Sequence, residues 1–326
     1  MNPEDIPGMT ELIEQKLLND IGQSVKLEAD EVMLEFGTFF GRSTRSIING
    51  VLKNKNIDLN SRLKPVLKVY DSFCMPNEGA FDERMLEEID YVKRMASHGS
   101  VQNLLEEQDG KINFRAIFDH YMSDIPEEVL DVFESGLYQI EHDGLAIKFM
   151  HIDLPKWWEE YKYLIDTFFL NLRKGAIIIY QDFFYHWSAT LIVAIFLWIE
   201  EGFLEPVRTA ASSLVCNINK EIVEGDVRNL EAQMESIDHL EVLSRCQDYF
   251  SKFDFVDRRE YFVNRLLLAQ LQYSFEKGDF KTSRAIFSFL MEQKAVLAQA
   301  QSKNLGGLYG DLLDLVDNGF SLRRTQ

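Results

Sequence analysis

The sequence predicts an α/β protein with a doubly wound, mostly parallel sheet and an all-helical C-terminal extension. Two observations carry this. From about Val32 to Asn219, short runs rich in β-branched and aromatic residues alternate with segments of helical periodicity, the pattern of a parallel sheet covered on both faces. From about Glu221 onward only helical periodicity remains.

The stretch 1–25 reads as an N-terminal helix. The candidate strands are "EVMLEF" leading into Gly37, "PVLKVYD" ending at Asp71, "EEVLDVF" ending near Glu134, "GLAIKFMHID" ending at Asp153 and "GAIIIYQD" ending at Asp182. "EPVRTAASSLVCNIN" holds one or two more. Between them, "GRSTRSIINGVLKN" and "FDERMLEEIDYVKRM" read as helices. So does "PKWWEEYKYLIDTFFLNLRKG", where Trp158, Tyr161, Ile165, Phe168 and Leu172 share one face, with Pro155 near its start and Gly175 just past its end. In the extension, "VRNLEAQMESIDHLEVLSRC" places Leu230, Met234, Ile237 and Leu240 at helical spacing, and two further helices join at Gly278-Asp279.

The chain has 326 residues, 46% of them apolar, enough for one large core or two smaller ones. The expected division is an α/β domain over 1–220 and a helical extension over 221–326. A net charge of -19 repels phosphate backbones and anionic lipid, so neither nucleic acid nor a membrane is an expected partner. The three cysteines, Cys74, Cys216 and Cys246, have neither disulfide-framework nor zinc spacing. The N-terminus lacks a signal-peptide core, and the longest apolar run, "ATLIVAIFLWI", is too short to span a bilayer. These readings describe a soluble cytoplasmic protein.

In doubly wound sheets ligands bind outside the carboxyl ends of the strands. The first candidate is therefore "LEFGTFFGRST", a strand, a glycine-containing turn and a helix start. Gly37 and Gly41 permit close backbone approach, helix amides point at the site, and Glu35 could accept a hydrogen bond or offset a cation. Asp71, at the next strand end, is placed for ribose hydroxyls. Asp153 and Asp182 end neighbouring strands and could hold a hard divalent cation or orient a hydroxyl for proton removal. His186 follows in a loop, with an ordinary pKa suited to a base. Each residue also has a plain structural reading, as a turn, a cap or a packed loop side chain.

Together these stretches resemble class I S-adenosylmethionine-dependent methyltransferases, most closely the macrocin O-methyltransferase family. "YDSFCMP" resembles its D-S-F-x-x-x-P segment. "FMHIDLPKWWEEYKYLIDTFFLNLRKGAIIIYQDF" resembles its acid, long helix and D-D-Y sequence, and "EPVRTAASSLVCNINKE" resembles the antiparallel pair that closes the fold. The resemblance covers about residues 25 to 220. It implies a seven-stranded Rossmann-like sheet and O-methylation of a sugar or secondary-metabolite hydroxyl.

By the same resemblance, Glu35, Gly37, Thr38, Gly41, Ser43 and Thr44 would surround the amino-acid end of S-adenosylmethionine. Asp71, Ser72 and Phe73 would meet the ribose, and Glu134 and Ser135 the adenine. Asp153 and Asp182 would face the small-molecule acceptor, with His186 as a further catalytic candidate. The family binds Mg²⁺ through an acid and an Asp-Asp pair, which here become Asp153 and Gln181-Asp182; its general-base position is Pro155. Metal use thus stays open, with Asp153, Gln181 and Asp182 as the ligand set, and His186, Asp153 or Lys156 could supply the base. Two alternatives remain: a metal-independent methyltransferase with another acceptor, and a non-catalytic binding or assembly protein of this fold. A homodimer through the helical elements is the expected assembly.

Overall fold

The elements, in chain order, are α1 (Leu12–Ser24), β1 (Glu31–Phe36), α2 (Arg42–Val51), β2 (Leu67–Asp71), β3 (Cys74–Pro76), α3 (Glu83–Ser97), β4 (Glu106–Gln108), β5 (Lys111–Asn113), α4 (Arg115–Met122) and β6 (Leu130–Glu134). Then come β7 (Ala146–Ile152), α5 (Trp158–Phe168), β8 (Leu172–Tyr180), α6 (Ala189–Glu200), β9 (Leu204–Ala210), β10 (Ser213–Ile218), α7 (Glu224–Ser236), α8 (His239–Lys252), α9 (Arg259–Glu276) and α10 (Phe280–Gln299). This computed structural model describes residues 1–299 apart from 60, 61, 63, 77–82, 98–100, 109, 155 and 255–258. The reading of Pro155 as a helix start and the expected extension beyond 299 lie outside the described residues.

The main sheet has seven strands in the order β6-β2-β1-β7-β8-β10-β9. β6, β2, β1, β7 and β8 run parallel, and β10 pairs antiparallel with both β8 and β9. Alternate residues of each central strand feed two apolar clusters, one per face. Val32, Leu34, Phe36, Met150, Ile152, Ile178 and Tyr180 pack on one side. Met33, Leu67, Val69, Phe149 and Ile179 pack on the other, against residues of α1, α2 and α4. Two buried faces explain why these strands read as unbroken apolar runs. Strand order reverses around β1 and β7, which makes their carboxyl ends the switch point where a ligand crevice is expected.

α6 is buried along nearly its whole length, which is why "ATLIVAIFLWI" has no polar face. It belongs to the same cluster as Val227 and Leu230 of α7, Val242, Leu243, Cys246 and Phe250 of α8, and Phe262, Leu266 and Ala269 of α9. The C-terminal helices therefore share a core with the sheet. No helix among the described residues is long and apolar enough to cross a membrane.

α1 lies very close to α2 because glycines face each other. A Cβ on Gly50 would stand 2.2 Å from the Asn19 carbonyl oxygen, and one on Gly22 2.4 Å from that of Ile47. Both obstacles are backbone, so neither can swing away. Alanine gains about 1 kcal/mol of helix propensity over glycine. Forcing two backbones apart costs about 1–3 kcal/mol. Gly50→Ala is accordingly expected to lower the urea midpoint; an unchanged or raised midpoint would show that the crossing is loose.

The structure departs from the sequence-based reading in three places. The helix expected to run to Gly175 ends at Phe168, and β8 begins at Leu172. Gly175 lies inside that strand with φ +78°, where the β7–β8 register shifts between Ile147 and Phe149; it serves a bulge, not a helix end. The segment Val227–Cys246 is two helices, because Asp238 accepts from the amides of Leu240 and Glu241 and starts α8 afresh. β3, β5 and β4 form a separate antiparallel sheet that the sequence reading lacked.

Candidate functional site

The residues of the first turn are held by Asp71. Its Oδ2 accepts the backbone amides of Thr38 (2.7 Å) and Phe39 (3.0 Å), and its Oδ1 accepts that of Phe73 (2.7 Å). The carboxylate is buried and turned onto the chain's own loops. Burial raises its pKa, three amide donors oppose that, and the Glu35 charge adds to the rise. Thr38 and Thr44 join hydroxyl to hydroxyl, and Ser43 and Thr44 are buried in the first turn of α2. The next strand end is tied in through the Ser135 amide on the Asp71 carbonyl (2.9 Å). Ser72 donates to the Cys74 carbonyl, and Glu134 is exposed beside Asn113 and Arg115.

The two glycines serve internal packing. A Cβ on Gly37 (φ +80°) would stand 3.2 Å from both Asp153 and Leu154, and one on Gly41 (φ +94°) would meet Met122 at 2.5 Å and Phe118 at 3.0 Å. Besides Ala211 in the β9–β10 turn (φ 47°), three non-glycine residues here have left-handed backbone: Phe39 (φ 51°), Phe73 (φ 49°) and Asp182 (φ 59°). Such strain concentrates at functional sites.

A chain of buried polar groups crosses the switch point. Glu35 is paired in register with His151, and His151 with Ile179, two residues before Gln181. The His151 ring lies with Nδ1 3.1 Å from Glu35 Oε1 and Nε2 2.8 Å from Gln181 Oε1. Both neighbours present acceptors, which suits an imidazolium donating from both nitrogens. Burial disfavours that cation, but Glu35 and then Asp153 outweigh it, and the pKa is raised. Glu35 is fully buried, and its second oxygen, Oε2, has no hydrogen-bond partner. An open carboxylate oxygen in the interior is costly unless a donor arrives.

Next to this chain, Lys156 bridges the two acids. Its Nζ is 3.1 Å from Asp153 Oδ1 and 3.2 Å from Asp182 Oδ2. Burial raises the Asp153 pKa, the Lys156 ammonium counters it, and the Asp182 charge raises it again. The pair of carboxylates holds Lys156 above its ordinary pKa against the effect of burial, so the ammonium stays charged. Glu160 fixes the Lys156 backbone by accepting its amide (2.7 Å). On the far side, Ser212 donates to Asp182 Oδ1 (2.8 Å), and the adjacent Ser213 donates to Glu14 Oε1 (2.7 Å). Glu14 reaches in from α1; burial pushes its pKa up to about 7, with the Asp182 charge contributing.

The structure thus gathers Glu35, Thr38, Asp71, Asp153, Gln181 and Asp182 along one edge of the sheet. His186 lies four residues beyond Asp182. It is buried beneath α9, with Nδ1 3.3 Å from the Arg265 guanidinium, which also covers the Tyr185 ring. A shallow cavity of about 410 Å³ lies by the start of α1, lined by Met9, Thr10, Glu11, Leu12, Gln15 and Arg42. The Arg42 guanidinium there is engaged by the carbonyls of Ile6 and Thr10.

Sequence reasoning passed over His151 and Glu14. A signal for His151 did exist. Glu35 is a charge inside an otherwise apolar strand, and a buried charge needs a partner, so a polar residue in the neighbouring apolar strand was the place to look. Glu14 accepts the nearby Glu11 amide, but its site-side partner, Ser213, lies 199 residues away.

No family model matches the chain, and no curated protein matches it. Among solved structures it is similar to CalS11, a TDP-rhamnose 3'-O-methyltransferase of calicheamicin biosynthesis, at 15% identity and TM-score 0.38 over 64% of this chain and 79% of that one. It is also similar to the O-methyltransferase NovP, at 14% identity and TM-score 0.39 over 64% and 78%. A protein from Corynebacterium glutamicum shares 11% identity at TM-score 0.37 over 66% and 84%. At these values the functional reading rests on the chain's own residues.

Proposed function

We propose that this chain is an S-adenosylmethionine-dependent methyltransferase acting on a hydroxyl of a small sugar or secondary-metabolite acceptor. The observation that carries the reading is the unpartnered, buried Glu35 Oε2 at the end of β1, beside the turn that Asp71 holds. An anionic acceptor in that position suits the ammonium of the cofactor's amino-acid end. The sheet order, with β10 and β9 as the closing antiparallel pair, supports the same reading. The acceptor class comes from the sequence resemblance.

When bound, S-adenosylmethionine supplies an electrophilic methyl group to an in-line displacement. The chain's residues have three tasks. Asp71 fixes the Thr38–Phe39 and Phe73 backbone, and so the shape of the turn. Glu35, backed by His151 and Gln181, offers a charged acceptor in the interior. Asp153, with its pKa raised by burial, is placed as proton acceptor for the substrate hydroxyl, with Lys156 and Asp182 setting the charge around it. Within this reading the hydroxyl is methylated without a divalent ion at the acceptor end, because an ammonium already lies between the two acids.

The test is a calorimetric titration of the full chain against Glu35→Gln with S-adenosylmethionine and S-adenosylhomocysteine. Both ligands carry the ammonium. A charged hydrogen bond is worth about 1.5–3 kcal/mol, so both should bind at least about tenfold more weakly to the variant. Equal affinities for the two proteins would remove Glu35 from the site.

A further inference from the structure

We propose that Lys156 is a built-in cation, holding the place between Asp153 and Asp182 that a divalent ion would otherwise take and keeping such ions out. This deepens the methyltransferase reading by saying how its acceptor end is charged. It rests on that reading only for the identity of the acceptor.

Asp153 and Asp182 come from neighbouring parallel strands and offer one oxygen each to a single cation. The separations of 3.1 and 3.2 Å are ammonium–carboxylate distances. Mg²⁺ would need both oxygens about 1 Å nearer. The acids are a quarter to a third exposed, at 29% and 28%, and stand at strand ends, so their side chains have room for that adjustment.

Two of the other oxygens around the site are already committed. Gln181 Oε1 meets His151, and Ser212 donates its proton to the second Asp182 oxygen. Two carboxylates against one ammonium leave a net negative site. Lys156 is three residues from Asp153 and tethered beside it, so its effective concentration there exceeds that of a free ion in dilute solution. The cation at this position is the chain's own, the Lys156 ammonium. Removing the ammonium leaves two facing carboxylates with no counter-charge, which is an incipient cation site.

The experiment titrates Mn²⁺ into the full chain, Lys156→Ala, Lys156→Met and Lys156→Ala/Asp182→Asn, reading bound ion by electron paramagnetic resonance. Circular dichroism checks that each protein is folded. Lys156→Met keeps the length of the side chain if the alanine variant does not fold. The expected result is one bound Mn²⁺ in the single variants, at least about tenfold tighter than in the unsubstituted chain, and its loss in the double variant. Equal binding by the unsubstituted chain would mean that Lys156 excludes nothing. No gain in either folded single variant would mean that the carboxylates do not form a cation site. Neither outcome depends on whether S-adenosylmethionine binds.

Discussion

Asp71→Ala is expected to lose at least about 3 kcal/mol of stability, because it strands two buried backbone donors and a half-buried third at once. The amides of Thr38, Phe39 and Phe73 all end on this carboxylate. Each unsatisfied buried donor costs about 1–3 kcal/mol. Water entering the space would recover part of that, so the low end of the sum is the prediction. Two of the three residues, Phe39 and Phe73, also hold left-handed backbone that nothing else in their own geometry favours. Asp71→Asn should fall between the two proteins, since its amide nitrogen cannot accept and at least one donor stays open. Urea unfolding is the measurement. A midpoint for Asp71→Ala within about 1 kcal/mol of the unsubstituted chain would mean that the loops are held by their aromatic contacts alone.

The second large effect is on pH dependence, through Glu14. Its pKa is raised from 4.5 to about 7, first by burial, against the bonds from Ser213 and the Glu11 amide, and with the charges of Asp182 and Glu11 adding to the rise. A raised folded pKa stabilises the fold fully below the unfolded value. That contribution is lost as pH climbs through the folded value, here between about pH 4.5 and 7. The size is about 3 kcal/mol. Glu14→Gln cannot ionise, so its stability should fall less over the same range, and above pH 7 it should be the more stable protein. Its one certain loss is an acceptor for the half-buried Glu11 amide, worth about 1 kcal/mol. The comparison of the two proteins cancels other titrating groups, including Asp71, Asp153 and His151. Parallel stability curves from pH 5 to 8 would contradict the burial of a titrating carboxyl between α1 and β10.

The sheet was legible because burial on both faces leaves an unmistakable apolar run, and all five parallel strands end within a few residues of their expected acids or turns. The errors have local causes. Gly175 resembles a helix stop but supports a bulge, and the helical periodicity of Val227–Cys246 continues across the Asp238 cap. β4 and β5 are "EEQ" and "KIN", too short and too polar to carry any period. At the site, the positions of Glu35, Asp71, Asp153 and Asp182 were readable from the strand ends, but their partners were not. His151 looked like one more strand residue. One partner of His186 is Arg265, 79 residues on in the helical extension. Partnerships of this kind are set by tertiary packing and leave no spacing in the chain.

The most direct measurement is a calorimetric titration of S-adenosylmethionine into the unsubstituted full chain, first in EDTA and then in Mg²⁺. Saturable one-site binding in EDTA with no gain from Mg²⁺ is expected. Absence of saturable binding in both conditions, or binding that appears only with Mg²⁺, would contradict it.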